Sequence, residues 1–193
     1  MSTLLAPPPA PLAAPPALLT AEEFFDRFGQ GGYELVRGVV QEVAMPGGRH
    51  GKVCVKVARV LDEFVEVNSL GHVMSNDTLM LLRRGPDSMR GADVCFVSYD
   101  TMPKDAVPDG PLEVIPELVF EVRSPSDSWT EVIEKMLDYQ KSGMKVVVIL
   151  DPKTSTASVF RPNDVQEMFS ADQTMTIPDV LPGFALVVGK LFE

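Results

Sequence analysis

From residue 20 onward the apolar positions switch between a period near 3.6 and a period of 2, which predicts helices and strands in one chain. Thr20-Ala-Glu-Glu23 has the form of a capping box, followed by Phe24, Phe25 and Phe28; a helix opens there and Gly29 to Gly32 stop it. Residues 33–36 and 39–44 read as a hairpin turning near Arg37-Gly38. Over 51–67, Val53, Val57, Val60, Leu61 and Phe64 recur at three and four, which predicts an amphipathic helix despite its valines. A strand over 72–82, a polar loop over 83–91 and a strand over 93–98 follow. Pro103, Pro108, Pro111 and Pro116 mark 102–116 as a loop. Residues 117–123 (ELVFEVR) and 145–150 (KVVVIL) are apolar almost throughout, as strands covered on both faces are. Between them Ser128-Trp-Thr-Glu131 repeats the capping box, opening a helix that ends before Gly143. Residues 156–160 and 166–169 pair as a closing hairpin. The expected fold is α+β, α/β-like where strands and helices alternate: a mixed sheet flanked by a few helices.

Composition adds a boundary. Residues 1–18 hold six prolines, five alanines and no charged side chain, so they read as a disordered tail ahead of one domain over 19–193. The whole chain has 193 residues, is 45% apolar and carries a net charge of −10. That charge excludes a protein that coats nucleic acid by bulk attraction, but leaves room for a local basic groove. No apolar run approaches the roughly 18 residues of a membrane span. Cys54 and Cys95 both sit in apolar runs, which suits buried thiols in a reducing, cytoplasmic setting; they are not expected to share a metal.

Three polar residues stand where stability alone would not put them. Asp93 opens an apolar strand, and Glu121 lies inside another, on the face of Val119 and Arg123. A carboxylate there is costly to desolvate unless it is paired or binds a metal. Lys135 falls beside Tyr139 at the rim of its helix's apolar arc, with its ammonium free to overlook Glu121. Positive charge for a phosphate backbone is offered by Arg49, Lys52, Lys56 and Arg59, spaced three, four and three apart in an acid-free stretch. Arg83, Arg84 and Arg90 form a second basic cluster in the expected loop. His50 is either a site residue or, as helix-entry histidines more often are, a cap or surface group, and Trp129 reads as a packing anchor.

The order Asp, Glu in an apolar strand, then Lys resembles the PD-(D/E)XK, restriction-endonuclease-like nucleases. More closely, the chain resembles the Uma-two family of endonucleases. The similarity lies in residues 33–38 (YELVRG), His50-Gly51, 92–97 (ADVCFV) and 118–127 (LVFEVRSPSD). It continues in Glu134-Lys135 with Tyr139, in Gly143 before KVVVILDP, and in Leu181-Pro-Gly-Phe184, so that it spans roughly residues 19 to 192. The resemblance implies a restriction-endonuclease-like sheet, Asp93 and Glu121 as metal-binding carboxylates with the Val122 carbonyl as a further ligand, and Lys135 as the motif's lysine moved onto a helix. It implies Glu34 as an auxiliary acid, Mg²⁺ or Mn²⁺ as cofactor, and DNA as partner, with homodimerisation left open. Arg123 stands where the original motif keeps lysine. Its guanidinium cannot act as a base but can hold a phosphate or pair with Glu121. Two other readings compete: a catalytically silent module that binds DNA or protein through the same groove, and a Glu121–Lys135 salt bridge that is structural only.

Overall fold

The computed structural model describes residues 17–193; the proposed tail over 1–18 therefore lies, except for its last two positions, outside the described residues. Helix α1 (Ala21–Phe28) starts at the expected capping box, with both reciprocal bonds formed between Thr20 and Glu23. The hairpin β1 (Tyr33–Val36) and β2 (Val39–Glu42) turns through Arg37 and Gly38, both at positive φ. Helix α2 (Gly48–Val67) buries Val53, Val57, Leu61 and Val65, so packing of one stripe outweighs the modest helix propensity of valine. Strands β3 (Gly71–Arg83) and β4 (Ser88–Ser98) pair antiparallel over their whole length.

The expected polar loop over 83–91 is therefore corrected: residues 88–91 belong to β4 and are buried, and Asp93 lies in mid-strand. Arg90 and Ser88 look like loop residues in sequence because each is satisfied by a partner far along the chain, Arg90 by Glu34 and Ser88 by the Arg37 amide. After the proline-rich segment come β5 (Leu118–Val122), α3 (Trp129–Lys141), β6 (Val146–Asp151), β7 (Thr156–Phe160) and β8 (Glu167–Phe169). Helix α3 has the second capping box, and Gly143, at φ 100°, follows its C-cap Ser142. A small two-stranded sheet, β9 (Thr174–Thr176) with β10 (Ala185–Val187), and a 3-10 turn close the chain.

The main sheet runs β2-β1-β4-β5-β6-β7-β8, with β3 on the other edge of β4; among the described strands β5 and β6 are the parallel pair. Alternate residues serve opposite faces. Val94, Phe96, Phe120, Val148 and Leu150 pack against α2 and the C-terminal segment. Cys95, Val97, Val119, Val147 and Ile149 pack against Met136 and Tyr139 of α3.

Candidate active site

Along its inner edge β4 meets two different strands. It pairs with β1 at Met89 and with β5 from Val94 to Phe96, so residues 90–93 lie in a gap between them. Such a gap strips backbone groups of ladder partners, and buried backbone groups must find others. Here side chains supply them. Glu34 Oε1 accepts from the Gly91 amide at 3.1 Å. The Tyr139 hydroxyl reaches the Gly91 carbonyl at 2.9 Å. Asp93 Oδ2 accepts from the Val122 amide at 2.6 Å.

Charge collects around these bonds. Lys135 Nζ lies 2.9 Å from Glu121 Oε2 and 3.2 Å from Glu34 Oε1. Arg90 donates to Glu34 Oε2 at 2.8 Å and to Asp138 Oδ2 at 2.6 Å. Burial works against charge on Glu34, but Lys135 and Arg90 hold its carboxyl below the usual range. Glu121 behaves differently. Burial pushes its pKa up to about 7; Lys135 opposes the shift, while the charge on Asp93 adds to it. The Tyr139 hydroxyl, which has one proton, faces two acceptors: Gly91 O, and Glu121 Oε1 at 2.7 Å.

On the other side of Asp93 stands α2. His50 Nε2 lies 3.1 Å from Asp93 Oδ2, and His50 Nδ1 lies 3.4 Å from Cys54 Sγ. Burial would lower the imidazole pKa, yet the Asp93 and Cys54 contacts raise it to about 10, so the His50–Asp93 contact is an ion pair at neutral pH. His50, Cys54 and Asp93 border an open cavity with Ser75, Asn76 and Asp77. That cavity exists because β3 shifts register between Ser75 and Thr78, where Asn76 and Asp77 take positive φ.

Of the residues singled out by sequence, Glu34, Glu121 and Lys135 come into direct contact from β1, β5 and α3, while Asp93 of β4 contacts His50 on the α2 side. The backbone of Val122 joins them through its bond to Asp93. Lys52 and Arg59 are exposed along α2 and Lys56 is half-buried there, while Arg49 donates to the Pro152 carbonyl at 2.6 Å. Several expectations need correction. Arg123 does not pair with Glu121: it donates to Asp151 Oδ2 and to the Asp127 carbonyl, each at 3.0 Å. Trp129 is not a buried anchor; it is 47% exposed, with the Arg123 guanidinium 4.9 Å from its ring centroid. Arg90 is buried between two acids and offers no free charge, and Arg84 is paired with Glu22 and Asp87.

Of the two readings of His50 the site reading fits, since it sits with Cys54 and Asp93 in a cluster of ligand atoms lying within 4.8 Å of one another. One signal for this was present in the sequence: His50 and Cys54 are i and i+4 on one helix, hence on one face. The partner that completes the cluster, Asp93, could not be assigned without the β4 register.

The sequence profile of the Uma2 family, described as "Putative restriction endonuclease", matches residues 21–189. The chain belongs to the Uma2 family. A solved structure from Anabaena variabilis ATCC 29413, described as a "putative nuclease", is similar in fold, with a TM-score of 0.78 at 21% identity over 90% of this chain and 97% of that one. No curated protein sequence matches the chain. Family membership and fold agree with the expected restriction-endonuclease-like architecture, and no helix among the described residues is long and apolar enough to cross a membrane.

Proposed function

We propose that the gap between β1 and β5 is the centre of a metal-dependent endonuclease that hydrolyses DNA phosphodiester bonds. The observation that carries this reading is the contact of Lys135 with both Glu34 and Glu121, beside Asp93, which accepts from the amide of the residue that follows Glu121. An ion-pair network built only for stability gains little from placing so many charges at a sheet interior.

The donors suit a hard cation. Both hydrogen-bonding contacts of Asp93 fall on Oδ2, which leaves Oδ1 as the oxygen without a bond among the described residues. Glu121 and the Val122 carbonyl add oxygen donors on the adjoining strand, the ligand type that Mg²⁺ or Mn²⁺ takes. Such an ion, when bound, lowers the pKa of a coordinated water and offsets phosphate charge.

The other roles belong to side chains of the protein. Lys135 orients the attacking water and offsets charge on the phosphate in the transition state. Glu34 is a positioning acid: it holds Lys135 between two carboxylates and braces β1 against Gly91. Arg49, Lys52, Lys56 and Arg59 form a stripe on α2 that takes the phosphate backbone. Arg123 lines a cavity with Arg49 and Lys153, but its ion pair with Asp151 makes it part of the wall and a weak phosphate contact.

One observation favours a silent binding module: Lys135 and Tyr139 already engage both oxygens of Glu121. Calorimetric titration with Mg²⁺ separates the readings. The nuclease reading expects binding by the wild type, its loss in Asp93→Asn and Glu121→Gln, and its retention in Lys135→Met. Failure of the wild type to bind, or unchanged binding in Glu121→Gln, overturns the assigned centre in favour of the silent module.

A further inference from the structure

The cluster on the α2 side of Asp93 has a different chemistry from the carboxylates on its β5 side. His50 and Cys54, one helical turn apart, both point at β4, and a ring nitrogen, the thiol sulfur and an Asp93 oxygen form a triangle with no edge above 4.8 Å. The imidazole stands between the other two groups, its Nε2 3.1 Å from Asp93 Oδ2 and its Nδ1 3.4 Å from Cys54 Sγ, so an ion takes one nitrogen and leaves the other. Ligands held about 2.0–2.3 Å from a tetrahedral zinc ion are themselves roughly 3.3–3.8 Å apart, so rotation of the His50 and Cys54 side chains has to shorten edges of up to 4.8 Å to close the triangle on one ion. All three groups are shielded: Asp93 is buried, and His50 and Cys54 are partly buried. The register shift in β3 provides an independent feature, since the cavity it opens gives the cluster a path to solvent and room for a water as fourth ligand.

We propose that His50, Cys54 and Asp93 form a metal site for a sulfur-accepting divalent ion of the Zn²⁺ class. Nitrogen, thiolate and carboxylate donors together suit Zn²⁺ or Co²⁺, whereas a thiolate is a poor ligand for Mg²⁺. Three protein ligands with an open fourth position is the pattern of an exchangeable site; closed structural sites use four. Coordination displaces the thiol proton and the proton that His50 shares with Asp93. The site uses Asp93 from the α2 side and needs nothing from Glu121, Lys135 or Tyr139. It therefore does not depend on the nuclease reading.

Titration of the full chain with Co²⁺ alone tests it. The expected result is one equivalent bound, with the near-ultraviolet absorption that reports a thiolate on cobalt, displaced by Zn²⁺. Cys54→Ser is expected to abolish that absorption and weaken Zn²⁺ at least as much as losing an outer-shell partner does, about 10–100-fold. His50→Gln, which leaves the thiol in place, is expected to weaken Zn²⁺ comparably, so the result does not rest on one variant. Thermal melts without metal check that both variants fold. Glu121→Gln is expected to keep the cobalt spectrum unchanged. The proposal is overturned if the wild type gives no thiolate band, if Cys54→Ser retains it, or if Zn²⁺ affinity falls in Glu121→Gln but not in Cys54→Ser, which would put the ion on the carboxylates.

Discussion

At the level of single residues, the site depends on cations that are committed inward. Lys135 serves Glu34 and Glu121 together, so Lys135→Met leaves Glu121 without its cation and Glu34 with Arg90 alone. Breaking a buried pair in this way costs about 3–5 kcal/mol. Urea denaturation is expected to show a loss in that range, and cleavage should fall even in protein that remains folded. Arg90 makes a useful contrast. It lies in a basic cluster in the sequence, yet its guanidinium is consumed by Glu34 and Asp138. Arg90→Gln should therefore lower stability by a similar amount while leaving the salt dependence of DNA binding unchanged; a flatter salt slope would show that Arg90 reaches phosphate after all. Residue type and apolar context were enough to single out Asp93, Glu121 and Lys135. They did not reveal Arg90, because a buried, doubly paired arginine and an exposed one look alike in one dimension. Cys54 was missed for a related reason: its ligand geometry is made by a strand far away in the chain.

At the level of elements, α2 has two faces of different character. Its valine stripe fixes it to the sheet, and its basic residues face outward. If Lys52 and Lys56 each hold one phosphate, the double variant Lys52→Ala, Lys56→Ala should weaken binding on every DNA sequence and reduce the slope of log K against log salt by about 2. Binding isotherms at several salt concentrations measure this; an unchanged slope would assign the stripe to solvation alone. At the far end of β4, Glu117 accepts from the Ser98 amide at 2.9 Å, the Ser98 hydroxyl at 2.6 Å and the Thr101 hydroxyl at 2.5 Å. Burial works against its charge, but these bonds hold its pKa below the usual value of 4.5. Its stabilising contribution is therefore complete above the unfolded-state pKa and is lost as pH falls through the lower folded-state value. Glu117→Gln should be less stable than wild type near neutrality, with the difference shrinking on acidification; a difference constant with pH would contradict the assignment. Caps and amphipathic periods made α1, α2 and α3 legible in the sequence. The first part of β4 was not, because Ser88, Arg90 and Gly91 meet long-range partners that local pattern does not encode.

The whole molecule shows why the catalytic candidates gather where they do. A sheet whose inner strand changes partners, from β1 to β5, must open between them, and the opening draws in Glu34, Asp93 and Tyr139 to satisfy backbone groups. Helix α3 then delivers Lys135 from one face and α2 delivers His50 from the other. The alternation of strands and helices gave the α+β class directly, whereas the branching of β4 between two partners is a global property that no local run of residues announces. The proposed centre accounts for this convergence as phosphodiester chemistry. The most direct test is incubation of supercoiled plasmid with the purified full chain and Mg²⁺ or Mn²⁺, beside Glu121→Gln prepared in the same way. Metal-dependent nicking or linearisation by the wild type, stopped by chelation and absent in Glu121→Gln, is the predicted result. Equal cleavage by both proteins, or none by the wild type with either metal, would contradict it.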